Sequence, residues 1–195
     1  MSTACPPFAE GLIAGIFVGG AGRRMGRLAK GLLEAPGGGT LVDRWRAVLD
    51  EVGVARVVLV GRHPAYGSLD LETIDDEPSG VGPIGGLAAL LRRAGGSRAL
   101  ALACDMPFVS AALVERLAAA PEAPVVAPRR NGVWEPLCAR YDAAQVLPHA
   151  RRRIAACEYS LQSLLAEAGA APLSPEPGDA PQLRDWDVPE DRRAR

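Results

Sequence analysis

The chain is poor in cysteine and histidine and carries almost no excess charge. Its four cysteines, Cys5, Cys104, Cys138 and Cys157, lie far apart and form no Cys-x-x-Cys pair. That spacing excludes the common zinc frameworks and a disulfide scaffold, and it points to a reducing cytoplasm. The two histidines, His63 and His149, are distant in sequence, which argues against a soft-metal site and leaves each as a surface residue. A net charge of −1 provides no field to draw the protein to nucleic acid or to an anionic membrane, so neither is expected as a partner. The N-terminus lacks a basic region followed by an apolar core, and no stretch reads as a spanning helix. Residues 1–10 read as a loose leader and residues 11–195 as one domain. With 195 residues, 48% of them hydrophobic, that domain is long enough to bury a substantial core.

What is present begins with an apolar run, Leu12-Ile13-Ala14-Gly15-Ile16-Phe17-Val18, which reads as a buried first strand. It opens into Gly19-Gly20-Ala21-Gly22-Arg23-Arg24-Met25-Gly26, whose four glycines free the backbone so that successive N–H groups can turn around an anion. Arg23, Arg24, Arg27 and Lys30 add positive charge. Scattered, such residues would make an ordinary surface turn. Packed directly behind a buried strand, they make a phosphate site. The Walker pattern fails, because Lys30 is followed by Gly31 and Leu32 rather than serine or threonine. Gly20, Gly22 and Gly26 put one residue too many into the dinucleotide fingerprint, and the second strand ends in Gly61-Arg62-His63 rather than an acid. An arginine there suits a 2′-phosphate, so an NADP enzyme stands as a weaker alternative. The remaining reading is a loop wrapping a nucleoside triphosphate, with Lys30 on its phosphates.

Further along, Thr40 is placed to cap a helix from Leu41 to about Glu51. Strands are expected at Arg56–Val60 and Leu71–Ile74, the latter running into Asp75-Asp76-Glu77. A second glycine-rich loop, Pro78 to Gly86, opens a helix from Leu87 to about Arg93, and its free backbone permits close approach to a ligand. Ala99–Cys104 reads as another buried strand, ending at Asp105-Met106-Pro107. Ser110 can cap a helix over Ala111–Ala119. Val125–Ala127 and Val133–Tyr141 are candidate strands split by the Asn131-Gly132 turn. One helical stretch is expected from about Arg152 to Ala168, and a loop from Ala171 to Pro181. Strands alternating with helices predict an α/β domain with a mainly parallel sheet covered on both faces. In such sheets ligands bind beyond the carboxyl ends of the strands. Both glycine loops, the acidic cluster and Asp105 all fall there.

Asp105, at the end of a buried strand, reads as a hard oxygen ligand for Mg²⁺, since Ser110 is better placed to cap the next helix. Of the three acids after the third strand, Asp76 is the choice for a place near the nucleotide. The run Arg151-Arg152-Arg153 reads either as a solvated helix start or as a receiver for an anionic acceptor.

Several ordered motifs spanning about residues 12–191 resemble the molybdenum cofactor guanylyltransferases and their nucleotidyltransferase relatives. Gly-Gly-x-x-x-Arg-Met-Gly-x-x-x-Lys-x-Leu-Leu is similar to the family's triphosphate loop. Asp75-Asp76 with Gly82-Pro83-Ile84-Gly85-Gly86 resembles its acidic strand end and Gly-Pro-Leu-x-Gly loop near base and ribose. Cys104-Asp105-Met106-Pro107 resembles its Cys-Asp-x-Pro metal motif, Glu135-Pro136-Leu137 its His-Pro segment, and Asp185-Trp186-Asp187-Val188-Pro189-Glu190-Asp191 its Asn-x-Asn-Thr-Pro-Glu-Asp ending.

The resemblance implies a single-domain, three-layer Rossmann-like nucleotidyltransferase fold and transfer of GMP from GTP to Mo-molybdopterin with release of pyrophosphate. Lys30 and Asp105 are the implied catalytic pair, with Asp105 holding Mg²⁺. The implied nucleotide site takes Val18, Gly19, Gly20, Gly22, Arg24, Met25, Gly26 and Lys30 from the first loop, and Asp76, Gly82, Pro83 and Gly85 from the second. Asp185 and Asp187 are the implied acceptor contacts. A cofactor-delivery protein or a recipient molybdoenzyme is implied by family habit. Three positions depart from the pattern: Ala29 replaces the aspartate before the lysine, Glu135 replaces histidine, and Asp185 and Asp187 replace two asparagines. The last change removes amide donors and adds negative charge where a phosphorylated acceptor should arrive. A cytidylyltransferase, a transferase with another acceptor, and a non-catalytic nucleotide-binding relative stay open as alternatives.

Overall fold

A computed structural model describes residues 11–18 and 29–184. The calls on Gly19, Gly20, Gly22, Arg24, Met25 and Gly26, and on Asp185 and Asp187, lie outside the described residues. The chain runs through β1 (Ile13–Phe17), α1 (Leu41–Val52), β2 (Arg56–Val60), β3 (Glu72–Ile74), α2 (Pro83–Ala94), β4 (Arg98–Ala103) and α3 (Ala111–Ala119). Then come β5 (Val125–Ala127), the ribbon β6 (Arg129–Arg130) and β7 (Val133–Trp134), β8 (Cys138–Asp142), α4 (Ala143–Ala155), α5 (Leu161–Glu167), β9 (Ala171–Pro172) and α6 (Asp179–Gln182).

Seven strands form one sheet in the order β3-β2-β1-β4-β8-β5-β9. β1 pairs parallel with both β2 and β4, and β2 with β3, while β8 runs antiparallel to β4 and β5. The sheet is therefore mainly parallel. Alternation along β1 divides the core: Ala14 and Ile16 face α1 and α3, while Ile13 and Phe17 face α2, α4 and α5. The three layers follow from strands buried on both sides, as their unbroken apolar text requires.

The caps match the sequence. Thr40 accepts from the Asp43 N–H while the Asp43 carboxylate accepts from the Thr40 N–H, and the Ser110 hydroxyl accepts from the Leu113 N–H.

Four expectations are corrected. The helix expected from Leu87 starts at Pro83, so Pro83–Gly86 form its first turn rather than the end of a loop. Val133–Tyr141 is two strands, because Pro136 carries no N–H and the Cys138 N–H turns back to the Glu135 carbonyl. The stretch from Arg152 to Ala168 is two helices, broken where Cys157 adopts φ 59°, and α4 starts well upstream, capped by Asp142 and running through Pro148. The segment from Ala171 to Pro181 contains β9 and the start of α6 rather than loop alone.

Candidate functional site

The strand order leaves a topological switch beside β1: the chain proceeds outward to β2 and β3 on one side and to β4 on the other. Crevices at such points receive ligands. The Cys104 N–H donates to the Phe17 carbonyl (3.2 Å) and the Val18 N–H to the Val60 carbonyl (3.0 Å), so the carboxyl ends of β1, β2 and β4 are level. Val18 is buried, and the first glycine loop departs from it.

Lys30 and Asp105 meet at this edge. Lys30 Nζ donates to Asp105 Oδ2 at 2.7 Å, and their side chains are 24% and 18% exposed. Both are thus reachable by a ligand yet held in a partly dehydrated setting, where charge acts more strongly than in water. The Asp105 neighbours Cys104 and Met106 are buried. Burial, with the Asp105 charge beside it, pushes the Cys104 thiol up to about 12, so this cysteine is a packing residue and not a nucleophile.

Lys30 is supported from behind. It opens a 3₁₀ turn, Lys30–Leu32, and the buried Gly31 N–H donates to Tyr66 Oη at 3.0 Å. A Cβ on Gly31 would stand 2.8 Å from Val42 Cγ2 and 3.0 Å from Tyr66 Oη, so only glycine fits after this lysine. Burial pushes the Tyr66 phenol up to about 12. Ala29 packs against the core cluster under α1.

Asp76 leaves β3 on the same sheet edge, three strand positions from β4, or about 14 Å across the sheet. Its neighbour Asp75 is taken by Arg62 in a bidentate pair of 2.9 and 2.6 Å. Partial burial, and then the Asp75 charge, raise the Asp76 pKa above its ordinary value. A Cβ on Gly86 would lie 3.0 Å from Asp76 Oδ1 and 2.8 Å from Val60 Cγ1, and one on Gly85 would lie 2.4 Å from the Pro78 carbonyl oxygen. The glycine pair therefore lets the first turn of α2 press against the acidic strand end. Gly82, at φ 77° and exposed, is the N-cap of α2, and Pro83 fills its first turn.

The arginine run is neither a helix start nor an open receiver. It falls in α4, whose last turn holds Arg152 and Arg153, and Glu167 binds both of them. Those arginines hold the Glu167 carboxyl down at about 2. Glu135 is paired with Arg130 at 2.7 Å. His63 Nδ1 accepts from the Ala65 N–H and His149 contacts Glu167, so the structure assigns both histidines local roles.

Tyr66 and Arg44 carry no sequence signal for a place near this edge, and Trp45 of α1 has a role beyond its core position. Trp45 Nε1 donates to the Ala103 carbonyl at 3.0 Å. Helical periodicity marks Trp45 as core, and nothing in the sequence marks its second role as a donor.

Among the described residues, no group of three or more His, Cys, Asp or Glu side chains gathers as a metal cage. A single carboxylate with a neighbouring ammonium is what a Mg²⁺–triphosphate site needs from protein, because Mg²⁺ keeps several waters and takes oxygens from the substrate. No helix among the described residues is long and apolar enough to cross a membrane.

Comparison with known proteins identifies the family and the fold. The sequence model of the MobA-like NTP transferase domain matches residues 14–173. The chain is 34% identical to a probable molybdenum cofactor guanylyltransferase of Opitutus terrae, covering 94% of each protein. It is 35% identical to the molybdenum cofactor guanylyltransferase of Pseudomonas putida, over 78% of this chain and 82% of that one. Molybdopterin-guanine dinucleotide biosynthesis protein A from Archaeoglobus fulgidus shares the fold with a TM-score of 0.73 at 24% identity, covering 92% and 94%. Matched in sequence from β1 to β9 and in fold across nearly its whole length, this chain belongs to the MobA-like NTP transferase family.

Proposed function

We propose that this protein transfers GMP from GTP to the phosphate of Mo-molybdopterin, giving the guanine dinucleotide form of the cofactor and pyrophosphate. The observation that carries the reading is the Lys30–Asp105 pair, 2.7 Å apart at the switch point where β1 and β4 end. The relatives' name, molybdenum cofactor guanylyltransferase, supports guanylyl transfer to this cofactor.

An oxygen of the acceptor phosphate forms a bond to the α-phosphorus of GTP. The bond from that phosphorus to the bridging oxygen breaks, and the electron pair leaves on pyrophosphate. The acceptor oxygen is already ionised near neutral pH, so no side chain has to remove a proton. Alignment and positive charge are what the chain must provide. Lys30 provides an ammonium on a backbone held by the Gly31–Tyr66 contact, and on nucleotide binding it exchanges Asp105 for phosphate oxygen. Asp105 is the residue that would hold Mg²⁺. That ion, when bound, would shield the triphosphate oxygens as negative charge shifts toward the leaving group. Asp76 and the start of α2 take the ribose end of the nucleotide. Delivery of Mo-molybdopterin and hand-over of the product to a molybdoenzyme, in the cytoplasm, fit the same reading.

Mass spectrometry of the product formed from Mo-molybdopterin with GTP or CTP tests the assignment. A guanine dinucleotide with GTP and no product with CTP is expected. A cytosine product would move the protein to the cytidylyltransferases. GTP binding without any product would point to an altered acceptor or a non-catalytic role, in keeping with Ala29, Asp185 and Asp187.

A further inference from the structure

We propose that Arg44 is a positioning residue that sets the Asp105 carboxylate for metal binding. The inference rests on the reading of Asp105 as the Mg²⁺ ligand. Asp105 lies in the connection between β4 and α3, outside any helix or strand and one residue past the Cys104 N–H bond to the Phe17 carbonyl. Its backbone is further held by two consecutive side chains of α1. Trp45 Nε1 donates to the Ala103 carbonyl, two residues before Asp105, at 3.0 Å. Arg44 donates through Nε to the Pro107 carbonyl and through Nη2 to the Val109 carbonyl at 3.0 Å, two and four residues after it. The carbonyls on both sides of Asp105 are thereby tied to one rigid element.

The chemistry of these donors explains the choice of residue. A guanidinium is a planar fork that can serve two carbonyls at fixed separation, whereas a lysine ammonium is a compact point donor on a flexible stem. The carbonyls of Pro107 and Val109 belong to buried residues, and without Arg44 they would lose these bonds where water is scarce. The loop would then relax, and Asp105 with it. Mg²⁺ demands near-ideal octahedral geometry, so a loosened carboxylate is felt directly in metal affinity. Supporting groups behind a metal ligand commonly govern affinity by about 10- to 100-fold.

The test is Mn²⁺ binding followed by electron paramagnetic resonance with GTP present, in wild type, Arg44→Ala, Arg44→Lys and the exposed same-helix control Arg46→Ala. Thermal melting is measured alongside. Arg44→Ala is expected to weaken Mn²⁺ binding by about tenfold or more, with GTP affinity measured in EDTA unchanged. Arg44→Lys should fall between, and Arg46→Ala should match wild type. If Arg44→Ala does not fold, Arg44→Lys decides the question. Mn²⁺ affinity within about twofold of wild type in a folded Arg44 variant would overturn the inference while leaving the metal reading intact. A wild type that binds no Mn²⁺ with GTP would overturn the metal reading, and this inference with it.

Discussion

Lys30 and Asp105, 75 residues apart in sequence, are joined by a 2.7 Å ion pair at the carboxyl edge of the sheet. Each neutralises the other before nucleotide arrives, which removes the cost of a lone, partly buried charge at the end of a hydrophobic strand. In the proposed reaction the same pair gives one cationic and one anionic contact to a metal–triphosphate complex, and nucleotide binding exchanges their partners.

Lys30 is the only lysine in the chain. An amine-selective reagent should accordingly modify a single side chain, read directly as the one modified peptide other than that carrying the N-terminal amine. GTP with Mg²⁺ at ten times its Kd should slow that modification by about tenfold, as expected for simple occupancy. An unchanged rate would place the phosphates elsewhere.

Tyr66→Phe tests the support behind Lys30. It leaves the buried Gly31 N–H without its acceptor at nearly constant volume. The loss should be about 1–3 kcal/mol in urea unfolding, with weaker GTP binding even when metal is absent. Wild-type stability and affinity in this variant would show that the contact matters to neither.

Asp76 carries a pH signature. A carboxyl whose folded pKa lies above its ordinary 3.8 holds its proton longer in the native state than in the unfolded chain. Folding stability therefore falls as pH rises from 3.8 through the raised value, and the penalty is complete above it. Asp76→Asn should melt higher than wild type at neutral pH without ligand and converge with it in acid, while binding GTP more weakly. Melting curves against pH check the first part and calorimetry the second. A lower melting point at neutral pH would contradict the account.

Much of this was legible in the sequence because the signals are local. The apolar text of β1 and β4, the Thr40 and Ser110 caps and the alternating pattern give a mainly parallel sheet whose β4 ends just before Asp105. The meeting of Lys30 with Asp105 follows from that topology, since both end up beside the switch point. The connection between β7 and β8, the break at Cys157 and the true start of α4 were not legible. A proline inside a helix and a left-handed cysteine depend on tertiary contacts that override local preference, whereas the break at Pro136 is a local proline effect inside a run that otherwise reads as one extended segment. Tyr66 and Arg44 were hidden for a different reason. Each acts by bonding a backbone group remote in sequence, and no spacing rule records that.

The arginine run shows the converse error. Three adjacent cations read as a solvated helix start or as a receiver for an anion, yet they sit at the end of α4 and Glu167 arrives from α5 to bind Arg152 and Arg153. Charge that looks available in the sequence is spent within the fold.

The most direct test of the central claim is pyrophosphate release with GTP, Mg²⁺ and Mo-molybdopterin by wild type, Lys30→Ala and Asp105→Ala. Release by wild type, reduced about 10²- to 10³-fold or more in each variant, is the predicted result. Undiminished release by either folded variant would contradict the assignment of the Lys30–Asp105 pair as the transfer centre.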